Sequence, residues 1–529
     1  MSGNDDRVRF SRRELIQAAG AAAMLLGTRG AETLAQEKAP GRKLNLVIIT
    51  TDDNDAESLG CFGCALRDIT PNMDKLAADG VRFTHAHTAS PTCQPSRLSL
   101  MTGRYPQTNG NTGHVDPLKP GVTTLTRELR KAGYYTAIVG KQPNYLPEEA
   151  FAWDRNRDET PDNWDDQSDG YWSMWRSPEG FYKGTKELLS EAARQSKPFF
   201  LHLNTADPHR PWPGSVDEVE FLQRLEKQFG KKTTPMRPYP RNYSPCEVPV
   251  PGYLPDLPGV RVDLGEFYSA LHNADTAVGR IIDALKDAGV WDTTIVICFA
   301  DQGASFPMSK QSLYPAGTRI PLIIRWPGVV RPGSVVEGEM VSIIDIMPTL
   351  IEGLGLASVP DMDGQSFLGL MRNNGGRGRD HVFTSYTYAY PGIQAFPMRA
   401  VQSREFVYIY NAWHGESNIE PKIPLTYDGH IDPLTGLCWK SMKEAAASDP
   451  ALAKRVEFIM NRAPEEFYDL RKDPYCLDNR IADPMHASRI AEMREMVEQQ
   501  MERTKDPLLA KFRGTGPIPP EWLTFKPKK

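Results

Sequence analysis

Histidine and cysteine are scarce in this chain, with ten and seven in 529 residues. A two-zinc phosphoesterase needs several histidines beside its aspartates, so that chemistry is disfavoured. The cysteines are odd in number and form no dense disulfide framework. Cys61-Phe62-Gly63-Cys64 has zinc-knuckle spacing, but no second such pair follows. It reads as a buried pair or a local disulfide rather than a metal site. An excess of positive charge is also missing, because the formal net charge is −5. That excludes a typical nucleic-acid binder. The short basic end, Lys526-Pro527-Lys528-Lys529, reads as solvated. No apolar run is long enough to span a bilayer, so stable membrane insertion is not expected. Internal repeats and low-complexity tracts are absent too.

What is present begins with an export signal. Arg12-Arg13 precede an apolar, Ala-rich run from Leu15 to Gly27, and Ala35 offers a small-residue cleavage point. Residues 1–35 therefore read as a twin-arginine signal peptide, and the protein as periplasmic or secreted. The remaining length is too great for one unit of ordinary size. Residues 36–378 read as a large catalytic domain and 379–529 as a smaller α+β domain.

Strands alternate with helices over the first two thirds, which predicts an α/β fold with a mostly parallel central sheet and helices on both faces. Leu44 to Thr51, Tyr135 to Val139, Phe199 to Asn204, Thr294 to Ala300 and Ile320 to Arg325 read as strands. Helices are predicted over Thr124 to Ala132 and Leu264 to Ala288. Ligands of such sheets bind beyond the carboxyl ends of the strands. Asp52 and Asp53, Lys141, Asp207 and His209, and Asp301 all follow strand ends, so they should converge. The proline-rich stretch from Pro213 to Pro258 reads as a long insertion near the cleft.

Cys93 stands at a predicted helix entrance, near unpaired N–H groups and the positive end of the helix dipole. Arg97, one turn on, adds positive charge. The site would favour an anion, although an ordinary cysteine at a helix start fits the spacing equally well. Asp52, Asp53, Asp301 and the Gln302 amide are hard oxygen donors of the kind that suit Ca²⁺ or Mg²⁺. Either pair alone is more often a turn or cap than a ligand, but two pairs at strand ends favour a metal. Lys141, His209 and Lys310 could complete an oxyanion site, with His209 fixed in a proline-bounded loop.

Cys93-Gln94-Pro95-Ser96-Arg97, followed by Leu100-Met101-Thr102-Gly103-Arg104, resembles the sulfatase signature. The resemblance runs along nearly the whole mature chain, through Asn45 to Asp53, Gly140-Lys141, Asp207-Pro208-His209, Pro321 to Gly328 and Phe467 to Leu470. It leans towards the heparan N-sulfatase (sulfamidase) and iduronate-sulfatase-like branch. It implies an alkaline-phosphatase-like fold and a formylglycine made from Cys93 by a dedicated maturing enzyme. It also implies one Ca²⁺ held by Asp52, Asp53, position 93, Asp301 and Gln302, and a sulfated carbohydrate as substrate. In that scheme the hydrated aldehyde attacks sulfur, and Arg97, Lys141 and Lys310 stabilise the sulfuryl oxygens. His209 protonates the leaving atom.

Two positions depart from the pattern. The family places a histidine shortly after the Gly-Lys pair, but this chain has Gln142-Pro143-Asn144-Tyr145. Asparagine is no base, and His114 or His85 could substitute, although nothing in the sequence places them. Gln302 stands where asparagine or histidine is usual. Two rivals follow: a formylglycine-dependent phosphodiester or phosphonate hydrolase, and a weakened protein that only binds sulfated glycans.

Overall fold

The structure, a computed structural model, describes residues 43–523 apart from 115, 157–173, 230–234, 373–374, 388–394 and 416–435. The export segment and the basic carboxyl end lie outside the described residues.

Nine strands form the larger sheet: β1 (Asn45–Thr51), β2 (Val81–His87), β3 (Tyr135–Val139), β4 (Arg155–Asn156), β5 (Phe199–Asn204), β6 (Thr294–Ala300), β7 (Arg319–Ile320), β8 (Leu322–Arg325) and β9 (Ser334–Ser342). Their order is β4-β3-β5-β1-β6-β8-β2-β7, with β9 added to β2. From β4 to β6 every neighbour is parallel. β8 then runs against β6, and β2 runs against β8 and β7.

The parallel half follows the sequence closely. β1, β5 and β6 are buried at every position, as strands covered on both faces must be. The expected strand from Ile320 to Arg325 is instead two, β7 and β8, divided at Pro321. Proline has no N–H to give a ladder. β2 alternates apolar and polar residues only from Val81 to Thr84, and its register with β9 shifts between Phe83 and His85.

Side chains of β1 alternate between two cores. Val47 and Ile49 join Leu188, Phe267 and Leu271 from the helices Pro178–Arg194 and Pro258–Asp287. Leu46 and Ile48 join Leu98, Met101 and Leu350 from the helices Cys93–Thr102 and Ile346–Gly353. The long helix starts at Pro258 rather than Leu264, because proline at its first turn needs no N–H partner. Thr124 caps the helix Leu125–Lys131 by accepting the N–H of Arg127. The stretch after Pro213 includes a helix, Val216–Phe229, in place of a plain loop.

The change of pattern near Arg379 corresponds to a second, antiparallel sheet: β10 (His381–Tyr386), β11 (Met398–Ser403), β12 (Phe406–Asn411) and β13 (Glu465–Asp469). Met493, Val497 and Met501 are the buried face of the helix Ala487–Arg503. The described residues from 44 onwards pack as one unit, so the smaller sheet is fastened to the larger. All seven cysteines are free thiols, so Cys61 and Cys64 form no disulfide, and both are half-buried. Among the described residues no helix is long and apolar enough to cross a membrane.

Candidate active site

The carboxyl ends of β1, β3, β5 and β6 carry the cluster. Asp52 and Asp53 follow β1, Lys141 follows β3, His209 lies in the loop after β5, and Asp301 and Gln302 follow β6. Asp53 and Lys141 adopt left-handed backbones with φ of 68° and 59°, as do Met308 and Gln311 on either side of Lys310. Such conformations are costly for non-glycine residues and concentrate where geometry serves a site. Gly140 is needed before Lys141, because a Cβ there would collide with the Asn204 carbonyl.

Cys93 is the first residue of its helix, follows an extended Thr92 and is 3% exposed. Its thiol donates to Asp52 Oδ1 at 3.6 Å, and Gln302 Nε2 lies 3.2 Å from its Sγ. Burial pushes the thiol up to about 12, against the pull of Lys310. The group is therefore a poor thiolate nucleophile as it stands. Ligand atoms of Asp52, Asp53, Cys93 and His209 all lie within 4.8 Å of one another.

Cations surround these carboxylates. Lys141 Nζ pairs with Asp52. Lys310 Nζ pairs with Asp53 Oδ2 at 2.7 Å, and Arg97 Nη2 with Asp301 Oδ2 at 2.7 Å. Burial would raise Asp52, but the charges of Lys141, Arg97 and Lys310 together hold it well below the usual carboxylate range. Burial prevails at Asp53, which is raised against Lys310. It also prevails at Asp301, pushed up to about 8 despite Arg97, with Asp52 and Asp53 adding to the rise. Three carboxylates this close in an interior call for more positive charge than two lysines and one arginine supply beside an incoming anion.

The residues fit a hard cation. Asp52, Asp53 and Asp301 are oxygen donors, and Asp53 N–H donates to Asp301 Oδ1 at 3.2 Å, tying the β1 and β6 loops together. Gln302 Nε2 donates to Asp53 Oδ1, while Gln302 Oε1 is buried without a hydrogen-bond partner. An orphaned amide oxygen beside carboxylates is what a bound Ca²⁺ would satisfy.

His209 Nε2 lies 3.8 Å from Asp53 Oδ2, and its Nδ1 pairs with the Arg210 carbonyl. Burial, then Lys310 and Lys141, hold the ring well below its ordinary value, so it is neutral with Nε2 facing the cluster. Every residue expected at the site therefore meets there, except Asp207. Its carboxylate turns away to Arg176, to Tyr239 at 2.6 Å and to Asn273 at 2.7 Å. Only its backbone touches the site, through its carbonyl and Asp52 N–H at 3.1 Å.

Sequence reasoning overlooked the support beneath Arg97. Arg97 Nη1 donates to Asn204 Oδ1 at 2.5 Å, and Tyr145 Oη lies 3.3 Å from the same oxygen. Asn204 ends β5, a polar residue closing an apolar run, and that position was the available signal. Of the two histidines offered as substitutes, His114 is close: its Nε2 lies 2.9 Å from Oγ1 of Thr92, the residue before Cys93. His85 instead lines a separate cavity against the smaller sheet.

Comparison with known proteins agrees with this geometry. Residues 44–356 match the sulfatase family model, and residues 306–418 match the model described as N-sulphoglucosamine sulphohydrolase, C-terminal. Human N-sulphoglucosamine sulphohydrolase is 27% identical over 486 residues, covering 88% of this chain and 91% of the relative. The fold is similar to that of BT4656, solved in complex with its substrate D-glucosamine-2-N,6-O-disulfate, with TM-score 0.62, 19% identity, and 88% and 99% of the two chains covered. It is also similar to the phosphonate monoester hydrolase of Agrobacterium radiobacter, with TM-score 0.58, 19% identity, and 87% and 96% covered. The family match spans more than half of the chain and includes every residue of the cluster: this chain belongs to the sulfatase family.

Proposed function

We propose that the chain hydrolyses sulfate esters or sulfamates on a sulfated carbohydrate, with position 93 as nucleophile. The observation that carries this reading is the buried Cys93 at a helix start, ringed by carboxylates, with Arg97, Lys141 and Lys310 beside it. A thiol pushed up to about 12 does little there as a thiolate, which favours its conversion by a maturing enzyme. Formylglycine would supply a hydroxyl nucleophile with a built-in route for releasing sulfate, and Ca²⁺ held by Asp52, Asp53, Asp301 and Gln302 would supply fixed positive charge.

The chain's own residues do the rest. Lys141 and Lys310 are charged donors that can leave their carboxylates for sulfuryl oxygens once a cation neutralises Asp52 and Asp53. Arg97 stays fixed by Asp301 and Asn204 and orients the anion. His209 presents Nε2 to the cluster, and an anionic substrate would raise its proton affinity, so it can carry a proton to the leaving oxygen or nitrogen.

The similar human protein is named for N-sulphoglucosamine, and BT4656 binds a disulfated glucosamine, so sulfated glucosamine is the first substrate to test. Export by the twin-arginine route would bring the enzyme to polymeric glycans outside the cytoplasm. Parallel assays with sulfate esters, sulfamates and phosphonate esters decide the reaction class. Release of sulfate is expected, and a preference for phosphonate would overturn it.

A further inference from the structure

A second cavity, of about 150 Å³, opens where the larger sheet meets the antiparallel one. It is lined from β2 by His85, from the loop after β1 by Asp55, from β7 by Arg319, from β11 and the turn after it by Gln402 and Arg404, and from the loop after β13 by Tyr475. Among the described residues, none of the catalytic cluster lines it. Gln402 is 4% exposed, yet its Oε1 is buried with no hydrogen-bond partner. A buried polar atom at a cavity wall costs free energy until something pairs with it.

The remaining wall is chemically mixed. Arg319 Nε donates to the Thr84 carbonyl at 2.9 Å, and its Nη1 lies 3.4 Å from Glu57, which also lines the cavity. Arg404 is exposed at the rim. Burial, with Arg319 and Arg404 adding to it, pushes His85 down to about 4, so the ring is neutral and offers one donor and one acceptor. Asp55 is 8% exposed, and its Oδ1 accepts the N–H and hydroxyl of Ser58 at 3.0 Å. The rings of Tyr253 and Tyr475 stand 6.2 Å apart on one side. Two guanidinium groups suit a sulfate, while the amide, carboxyl and tyrosine faces suit sugar hydroxyls and C–H groups. The volume suits one sugar ring.

We propose that this cavity is a second binding site, which takes one sulfated saccharide unit with its sulfate on Arg404 and Arg319 and a hydroxyl on Gln402. The choice of ligand rests on the reading of the chain as an enzyme of sulfated glycans.

The test uses the full-length chain, a sulfated glucosamine–uronate disaccharide, its desulfated counterpart, and a small aryl sulfate. Aryl sulfate turnover by the matured enzyme reports the catalytic centre alone. Calorimetric titration of the disaccharide into the Cys93→Ala chain reports binding without turnover. Added separately, Arg404→Ala should weaken a class of disaccharide sites at least about tenfold, the loss of one charge-assisted contact, and Gln402→Ala should weaken it by about threefold to tenfold, the loss of a neutral one. Both, made in the maturable chain, should leave aryl sulfate turnover within about twofold, as independent sites do. Arg404 is exposed, so its replacement does not threaten the fold. Unchanged disaccharide binding in both variants overturns the cavity site, and intact turnover then shows that the catalytic reading survives. Equal binding of the desulfated disaccharide overturns the sulfate assignment. Failure of the parent to turn over any sulfate, with binding still lost in Arg404→Ala, upholds the cavity and overturns the catalytic reading.

Discussion

Arg97 Nη2 and Asp301 Oδ2 lie 2.7 Å apart, and neither side chain is exposed at all. Removing one partner of such a pair leaves the other charge buried and uncompensated. Arg97→Ala should cost about 3 kcal/mol or more of stability. It should also abolish turnover. Asp301→Ala should abolish both turnover and calcium binding. Thermal denaturation and calcium titration check these outcomes, and retained activity in Asp301→Ala would rule out the metal assignment.

Asn204 holds Arg97 from below and receives Tyr145 at the same oxygen. Neither contacts the cations around Asp53. Asn204→Leu should therefore lower kcat by about tenfold or more through a misplaced guanidinium. Tyr145→Phe, which keeps the ring and loses the long contacts of 3.3 Å to Asn204 and 3.4 Å to His202, should change kcat much less. Steady-state kinetics separates these effects, and an equal loss in both variants would count against a positioning role for Asn204.

The site was legible where chemistry and strand ends coincide. Asp52, Asp53, Lys141 and Asp301 each follow an apolar run that could be read as a buried parallel strand, and all four meet. Asp207 follows such a run as well, yet its carboxylate serves Arg176. The direction of a side chain leaving a strand depends on loop geometry that spacing does not encode. The roles of Asn204 and Tyr145 were hidden for a related reason, because they depend on Arg97 reaching across from a helix distant in sequence; only the place of Asn204 at the end of β5 hinted at one. β2 was missed because its apolar–polar alternation runs only from Val81 to Thr84 before His85 interrupts it, and β9 because Glu337, Gly338 and Glu339 divide its apolar residues.

The absent histidine near Asn144 directs attention to His114, whose Nε2 is 2.9 Å from Thr92 Oγ1. We predict that His114 takes up the proton freed during sulfate release, through Thr92. His114→Ala should then lower kcat by about a hundredfold, within the range of lost acid–base help, with little change in KM. His85→Ala should leave kcat unchanged. Unaltered kcat and pH profile in His114→Ala would remove it from the reaction.

Glu266 supplies a pH test away from the reaction. Burial, with Asp263 adding to it, pushes its carboxyl up to about 8, against Arg210. The native state thus holds a proton that the unfolded chain gives up near pH 4.5. Its contribution to stability is complete below the unfolded value and is lost as pH rises through about 8. The melting temperature of the parent should therefore fall, relative to Glu266→Gln, between pH 5 and pH 8. Parallel melting curves for the two proteins would contradict this.

The central claim is that Cys93 is the precursor of the nucleophile. The direct measurement is the mass of the peptide containing residue 93 from active protein, produced together with a sulfatase-maturing enzyme. An aldehyde or its hydrate is expected in place of the thiol, with activity that tracks the converted fraction. Full sulfate-ester hydrolysis by a chain whose Cys93 thiol is intact would contradict it.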